Sequence, residues 1–137
     1  MTDPLPDRLF AYGTLVFESL FAAITGHSRV SAEAELADHA AYRVHEAPYP
    51  GMIPKAGARA AGVLYRDIDP QIWARLDAFE DAIYFRQSVT ITLASGQREA
   101  AQTYIVYPQY AELLSDENWD PAWFVENHLA RYLQRFK

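Results

Sequence analysis

Hydrophobic and polar positions along this chain follow two periods, and the places where one gives way to the other outline its elements. At residues 30–36, Val30, Ala32, Ala34 and Leu36 face one side and Ser31, Glu33 and Glu35 the other, the period of two expected of a half-exposed strand. Residues 88–93 repeat the pattern, with Val89, Ile91 and Leu93 against Ser88, Thr90 and Thr92. Ser95-Gly96 then offers a turn, so 98–107 is predicted to return as the hairpin partner. Apolar runs at 9–12 and 61–68 read as buried strands, and 42–44 as a further short one. Pro48, Pro50 and Pro54 crowd residues 48–54. With φ fixed and no N–H to donate at those positions, the stretch is predicted to be an extended, rigid loop.

Three segments carry a helical period instead. Residues 17–24 are helical in character and Gly26 supplies a stop. Asp69-Pro70 sets an N-cap before a proline at the first helical position, opening a helix whose Ile72, Trp73, Leu76, Phe79 and Ile83 share one face. Asp120-Pro121 repeats that signal ahead of Trp123, Val125, Leu129, Leu133 and Phe136, an amphipathic terminal helix over about 121–136. Strands outnumber helices without regular alternation, which predicts a mixed α+β fold around a strongly curved or barrel-like sheet. The whole of 1–137 reads as one domain with its core at about 8–110.

One side chain sits uneasily on this pattern. At about 100° per residue, Glu80 lies about 50° from the middle of the apolar face, whereas Asp77 and Asp81 lie about 110° and about 150° away and point to solvent. A carboxyl at the edge of a core loses hydration, which raises its pKa and equips it to accept and donate a proton near neutral pH. The competing reading is structural. A glutamate near a helix end also snorkels past apolar neighbours or pairs with an arginine, and Arg86 follows closely.

Composition narrows the chemistry. Half of the residues are hydrophobic, enough for a full core without metals or disulfides. The absence of cysteine excludes a disulfide framework, a thiolate nucleophile and thiolate zinc sites. His27, His39, His45 and His128 show no paired ligand spacing, so no metal is expected. No cofactor is expected either, since the lone glycine after Tyr12 is too little for a Walker or dinucleotide loop, and no serine sits in a nucleophile elbow. Acidic residues number 18 against 12 basic ones, and the arginines are scattered, which argues against nucleic acid as a partner. Residues 1–8 lack a basic region followed by an apolar run, and no stretch is long enough to span a bilayer, so a cytoplasmic protein without a membrane partner is expected. Monomer and dimer are both open.

Tyr12-Gly13-Thr14-Leu15 places a glycine where a strand runs toward a helix. That is either a simple turn or a place where backbone N–H groups converge on an anion. Together with Pro48-Tyr49-Pro50, Gly62-Val63-Leu64-Tyr65 and Leu76-Asp77-Ala78-Phe79-Glu80 followed by Tyr84 and Arg86, it resembles the gamma-glutamylcyclotransferase-like (AIG2-like) family over most of the chain. The resemblance implies a small mixed β-barrel with flanking helices. It implies a substrate-binding loop at Tyr12, Gly13, Thr14, Leu15, Val16 and Phe17 acting through backbone amides, with Glu80 as general acid and base. The implied substrate is a small γ-glutamyl compound whose α-amine attacks its own γ-carbonyl, releasing 5-oxoproline and an amine or amino acid. The nucleophile then lies in the substrate. Tyr12, Tyr49, Tyr84 and Arg86 either orient that substrate or simply pack. Asp81 departs from the many members that carry glycine after the glutamate, and puts substrate choice in question. Two alternatives stand beside this reading: a non-catalytic small-molecule binding module using the same pocket, and an interaction protein docking a partner through exposed Trp119 and Trp123.

Overall fold

Two long hairpins meet through one short strand, and that junction makes a barrel. The computed structural model describes residues 7–135. In chain order they form β1 (Leu9–Ala11), α1 (Glu18–Thr25), β2 (Ala32–Val44), β3 (Pro50–Tyr65), α2 (Pro70–Phe79), β4 (Tyr84–Leu93), β5 (Arg98–Val106), β6 (Leu114–Asn118), α3 (Pro121–Phe124) and α4 (Ala130–Arg135). Strands β3, β1, β5, β4 and β2 are neighbours in that order and β2 pairs again with β3, so five strands close on themselves while β6 adds to β2. The outcome is the expected mixed α+β barrel with flanking helices.

Strand β1 runs antiparallel to β3, with Leu9, Phe10 and Ala11 opposite Tyr65, Leu64 and Val63, and parallel to β5 at Gln102. Its alternation serves two cores at once. Phe10 and Tyr12 point into the barrel with Met52, Leu64, Ile91 and Ile105. Leu9 and Ala11 point outward, under α1 and α2, against Phe21, Tyr65, Ile72 and Leu76. With both faces covered, the strand reads as an unbroken apolar run.

The caps and the second hairpin form as read. Asp69 Oδ1 accepts the Ile72 N–H at 2.9 Å and Asp120 Oδ1 that of Ala122 at 3.0 Å. Gly26 ends α1 in the left-handed region at φ 77°. β4 and β5 pair from Tyr84–Val106 to Thr92–Arg98.

The proline-rich stretch is not a loop throughout. β3 begins at Pro50, and Pro50 and Pro54 lie opposite Arg43 and His39. Because β1 reaches only Val63 to Tyr65 of β3, the proline half is paired on one side alone, where a missing N–H is tolerated. Residues 32–36 and 42–44 belong to the single strand β2, while Val30, expected on its apolar side, lies before the strand and is 87% exposed. β2 is bent at Asp38 (φ 59°), whose Oδ1 accepts the Gly57 N–H at 2.9 Å. Helix α2 stops at Phe79, and Ile83 packs beyond it with Val44 and Val106. The terminal helix is interrupted by a π-helical turn at Val125–Leu129. Phe124 is therefore the buried residue, and Val125, expected on that face, is 46% exposed. Phe136 lies outside the described residues. β6 escaped the reading because Leu-Ser-Asp-Glu-Asn has no apolar alternation. Among the described residues, no helix is long and apolar enough to cross a membrane.

Gly62 has no room for a side chain: a Cβ there would lie 2.2 Å from the Ala11 carbonyl oxygen and 2.8 Å from Phe10 Cζ. Both obstacles belong to β1, so Gly62→Ala must push β1 away from β3. The expected destabilisation is about 1–3 kcal/mol, read as a lower midpoint in urea denaturation. An unchanged midpoint would contradict the close crossing.

Candidate active site

The C-terminal end of β1, the end of α2 and the start of β3 surround a cavity of about 340 Å³. The chain leaving β1 supplies Tyr12, Gly13, Thr14 and Leu15 to its wall, and the segment after α2 supplies Glu80 and Asp81. Tyr49 and Pro50 face them, Tyr84 and Tyr104 come from β4 and β5, and Tyr132 and Arg135 from α4.

Gly13 has φ −120°, so no left-handed backbone demands glycine there. Proximity does: a Cβ would lie 2.8 Å from Pro50 Cγ. The loop after β1 and the start of β3 are thus pressed together. Within a short 3-10 turn, Val16 N–H donates to Gly13 O at 3.0 Å and Phe17 N–H to Thr14 O at 3.4 Å. Those two amides are occupied, and neither residue lines the cavity. Phe17 instead stacks on Phe124 with ring centroids 5.6 Å apart. Val16 and Phe17 thus lie off the cavity wall, whereas Gly13, Thr14 and Leu15, whose amides precede the first bonded N–H of the turn, line it. The Tyr65 hydroxyl pins the turn from below, donating to Leu15 O at 2.7 Å.

Glu80 is the C-cap of α2. Its N–H closes the last turn on Leu76 O at 3.1 Å, after which the backbone becomes extended (φ −73°, ψ 144°). The residue is half-buried and lines the cavity. Burial first, then the Asp77 and Asp81 carboxylates, push its pKa from 4.5 up to about 8. Arg86 does not relieve it. Its Nε lies 3.2 Å from Asp77 Oδ1 and its guanidinium 4.5 Å from the Trp73 ring centroid, beside the cavity rather than on its wall. Arg86 is thus a neighbour of Asp77 and shares with Glu80 a second pocket beside the cavity. Asp77 is exposed, as expected. Asp81 is exposed yet reaches the cavity, since the helix ends before it and the helical projection no longer applies.

Tyrosines surround the carboxyl. Tyr12 OH donates to Tyr104 O at 2.7 Å, Tyr104 OH to Asp77 Oδ1 at 2.7 Å, Tyr84 OH to Pro50 O, and Tyr49 OH to Asp81. Burial raises the pKa of all four, and the nearby Glu80 charge adds to each. They are neutral, fixed hydroxyls at neutral pH and not bases. Tyr12, Tyr49 and Tyr84 were singled out in the sequence. Tyr104 carried a signal only as an interior position of the second hairpin, and Tyr132 and Arg135 carried none. Trp119 is 8% exposed, with its Nε1 donating to Pro48 O at 2.7 Å, and Arg43 covers the Trp123 ring at 4.7 Å. Trp119 is therefore internal packing, while Trp123 is half-buried under that guanidinium.

The family described as "Gamma-glutamyl cyclotransferase, AIG2-like" matches residues 9–121. "AIG2-like protein D" of Arabidopsis thaliana is 29% identical over 96 residues, which is 69% of this chain and 62% of that protein. The chain thus spans less than two thirds of that relative's length. A solution structure of an Arabidopsis thaliana protein has a TM-score of 0.74 at 19% identity, with 99% of this chain and 82% of that one covered. A structure of a gamma-glutamyl cyclotransferase has a TM-score of 0.66 at 15% identity, with 94% and 85% covered. At such identities the two structures speak for the fold alone. With β1, the Gly13 turn and the Glu80 segment all inside the match, the chain belongs to the gamma-glutamyl cyclotransferase, AIG2-like family.

Proposed function

We propose that the protein is a γ-glutamyl cyclotransferase with Glu80 as general acid and base. One observation carries this reading: a carboxyl raised to about 8 shares a cavity of about 340 Å³ with the backbone turn of Gly13, Thr14 and Leu15. That volume suits one small molecule. The turn amides hold the α-carboxylate of the γ-glutamyl unit, which brings its α-ammonium to Glu80. An α-ammonium has a pKa near 8 in peptides, about four units above an ordinary carboxylate. Raising Glu80 closes that gap, so proton transfer between them is nearly balanced. The freed amine attacks the γ-carbonyl carbon, and Glu80 returns its proton to the leaving nitrogen as the bond from that carbon breaks. The ionised Glu80 then takes the second proton from the new ring nitrogen and passes it to the departing amine. The products are 5-oxoproline and an amine or amino acid, and no water is consumed. Enclosure supplies the folded geometry that ring closure needs.

The direct test is 5-oxoproline release from a panel of γ-glutamyl amino acids and γ-glutamylamines. Glu80→Gln is expected to lose roughly 10²–10⁴-fold in turnover; full activity in this variant would remove Glu80 from the mechanism. Its stability checks the same group independently. Since the folded pKa is raised from 4.5 to about 8, ionisation lowers wild-type stability progressively as pH rises through that window. Glu80→Gln should therefore melt higher than wild type above about pH 8 and similarly below about pH 4.5, as read by calorimetry.

The pH profile of kcat/KM should rise toward about 8, where Glu80 ionises. Free substrate amine titrates in the same range, so the informative comparison is with Asp81→Asn. Removing this like charge lowers the Glu80 pKa, and the rising limb should move to lower pH with the same substrate. An unmoved limb would disconnect Asp81 from Glu80.

Because the turn acts through its backbone, Gly13→Val, which collides with Pro50, should weaken substrate binding far more than Thr14→Ala. Equal effects in titration calorimetry would argue against the amide cradle.

A further inference from the structure

α3 and α4 would be one helix but for the π-helical turn at Val125–Leu129. In an unbroken α-helix, Phe124 and Tyr132 would stand about 80° apart around the axis; a turn that absorbs one extra residue brings them within about 20°. They do share a face, with rings meeting edge-on at 5.1 Å between centroids. Phe124 is fully buried with Leu20 and Trp119, which fixes where that face points. Arg135 follows on the same stripe, its Cζ 5.7 Å from the Tyr132 ring centroid. The π turn is thus what brings Tyr132 and Arg135 to the cavity wall. Both lie beyond residue 121, where the family match ends.

Among the described residues lining the cavity, Arg135 is the one cation. It is exposed at the rim, with Tyr132 half-buried, while Thr14 and Leu15 are buried at the inner end. In the reaction proposed above, on which this inference rests, the γ-glutamyl unit lies inward beside Glu80 and the group to be released points outward.

We infer that Arg135 is a specificity-determining residue: its guanidinium pairs with the carboxylate of a leaving amino acid, making γ-glutamyl amino acids the preferred substrates over γ-glutamylamines. No bond forms or breaks at Arg135, and the proton that moves between the two substrate nitrogens is carried by Glu80. Guanidinium geometry allows the Tyr132 ring to lie near one face while in-plane N–H groups meet a carboxylate.

Two substrates that differ only in that carboxylate, γ-glutamyl-alanine and γ-glutamyl-ethylamide, test the inference on the full chain and on Arg135→Gln and Arg135→Lys, each checked for an unchanged melting temperature. Wild type is expected to prefer γ-glutamyl-alanine. Arg135→Gln should lose roughly 10- to 100-fold in kcat/KM on it, the size of one charged hydrogen bond. The loss should fall on KM with kcat held, γ-glutamyl-ethylamide should be unaffected, and Arg135→Lys should recover part of the loss. Equal losses on both substrates, or none on either, overturn the inference and leave the reaction standing, because wild type still releases 5-oxoproline. If wild type releases it from neither substrate, the reaction has failed, and calorimetric binding of the same pair decides. Tighter binding of γ-glutamyl-alanine that Arg135→Gln abolishes upholds the inference, and equal or absent binding overturns it.

Discussion

The site depends on β1 having no free face. Its side chains are shared between the barrel interior and the layer beneath the helices, and its backbone lies so close to β3 that only a glycine fits at position 62. A strand gripped in this way fixes where its C-terminal end points. The next residues inherit that position: Tyr12 bonds across to Tyr104 O, Gly13 abuts Pro50, and Leu15 O is held by Tyr65. The backbone turn is therefore pre-organised by packing, which a backbone-mediated binding site requires, since donors that must first be ordered bind less well.

Two half-buried glutamates show how local partners set opposite chemistry from one residue type. The Glu99 side chain is 8% exposed and lies against Arg8 at 2.9 Å and against Arg66. Hydrogen bonding from Arg66, with Arg8 adding to it, holds its carboxyl below the usual range. Glu80 has no such relief, because Arg86, the cation near it in sequence, is drawn to Asp77 and the Trp73 ring. Burial then dominates, and the two aspartates add to it. Glu99 is committed to its charge, whereas Glu80 can change protonation state near neutral pH. Only the second condition suits proton transfer.

What the sequence made legible followed from local chemistry. The Asp69-Pro70 and Asp120-Pro121 caps, the Ser95-Gly96 hairpin and the buried run of β1 all depend on neighbours within a few positions, and all formed. Glu80 was found by a helical projection that was right about burial but wrong in its continuation: the chain leaves the helix at Glu80 itself, so Asp81 turns to the cavity and Ile83 to another cluster. Tertiary context decided what was missed. Pro50 and Pro54 are strand residues because β1 leaves that half of β3 uncovered. Trp119 and Trp123 are packed because Pro48 and Arg43, remote in sequence, come to meet them. Tyr132 and Arg135 could not be placed, because an inserted π turn changes the phase of every later residue without a marker in the residues themselves.

The cavity therefore has two halves with different mechanical origins. Its inner half, from Tyr12 to Leu15 with Glu80 and Tyr104, is held by main-chain contacts within the barrel, where a change of one methyl group is felt by the strand pairing. Its outer half comes from α4, which packs through Tyr132 and Leu133 on the cluster of Leu20, Trp119 and Phe124. That cluster lies apart from the barrel interior and meets the layer beneath the helices at Ile24. Substitution on the exposed face of α4 leaves the barrel interior intact, so the rim can vary while the Glu80 segment stays fixed. Trp119 joins the halves through its bond to Pro48 O, next to Tyr49 and Pro50 on the wall. A change in the seat of the terminal helices would thus reach the cavity at the Pro50 contact with Gly13, the point where the backbone turn is most closely confined.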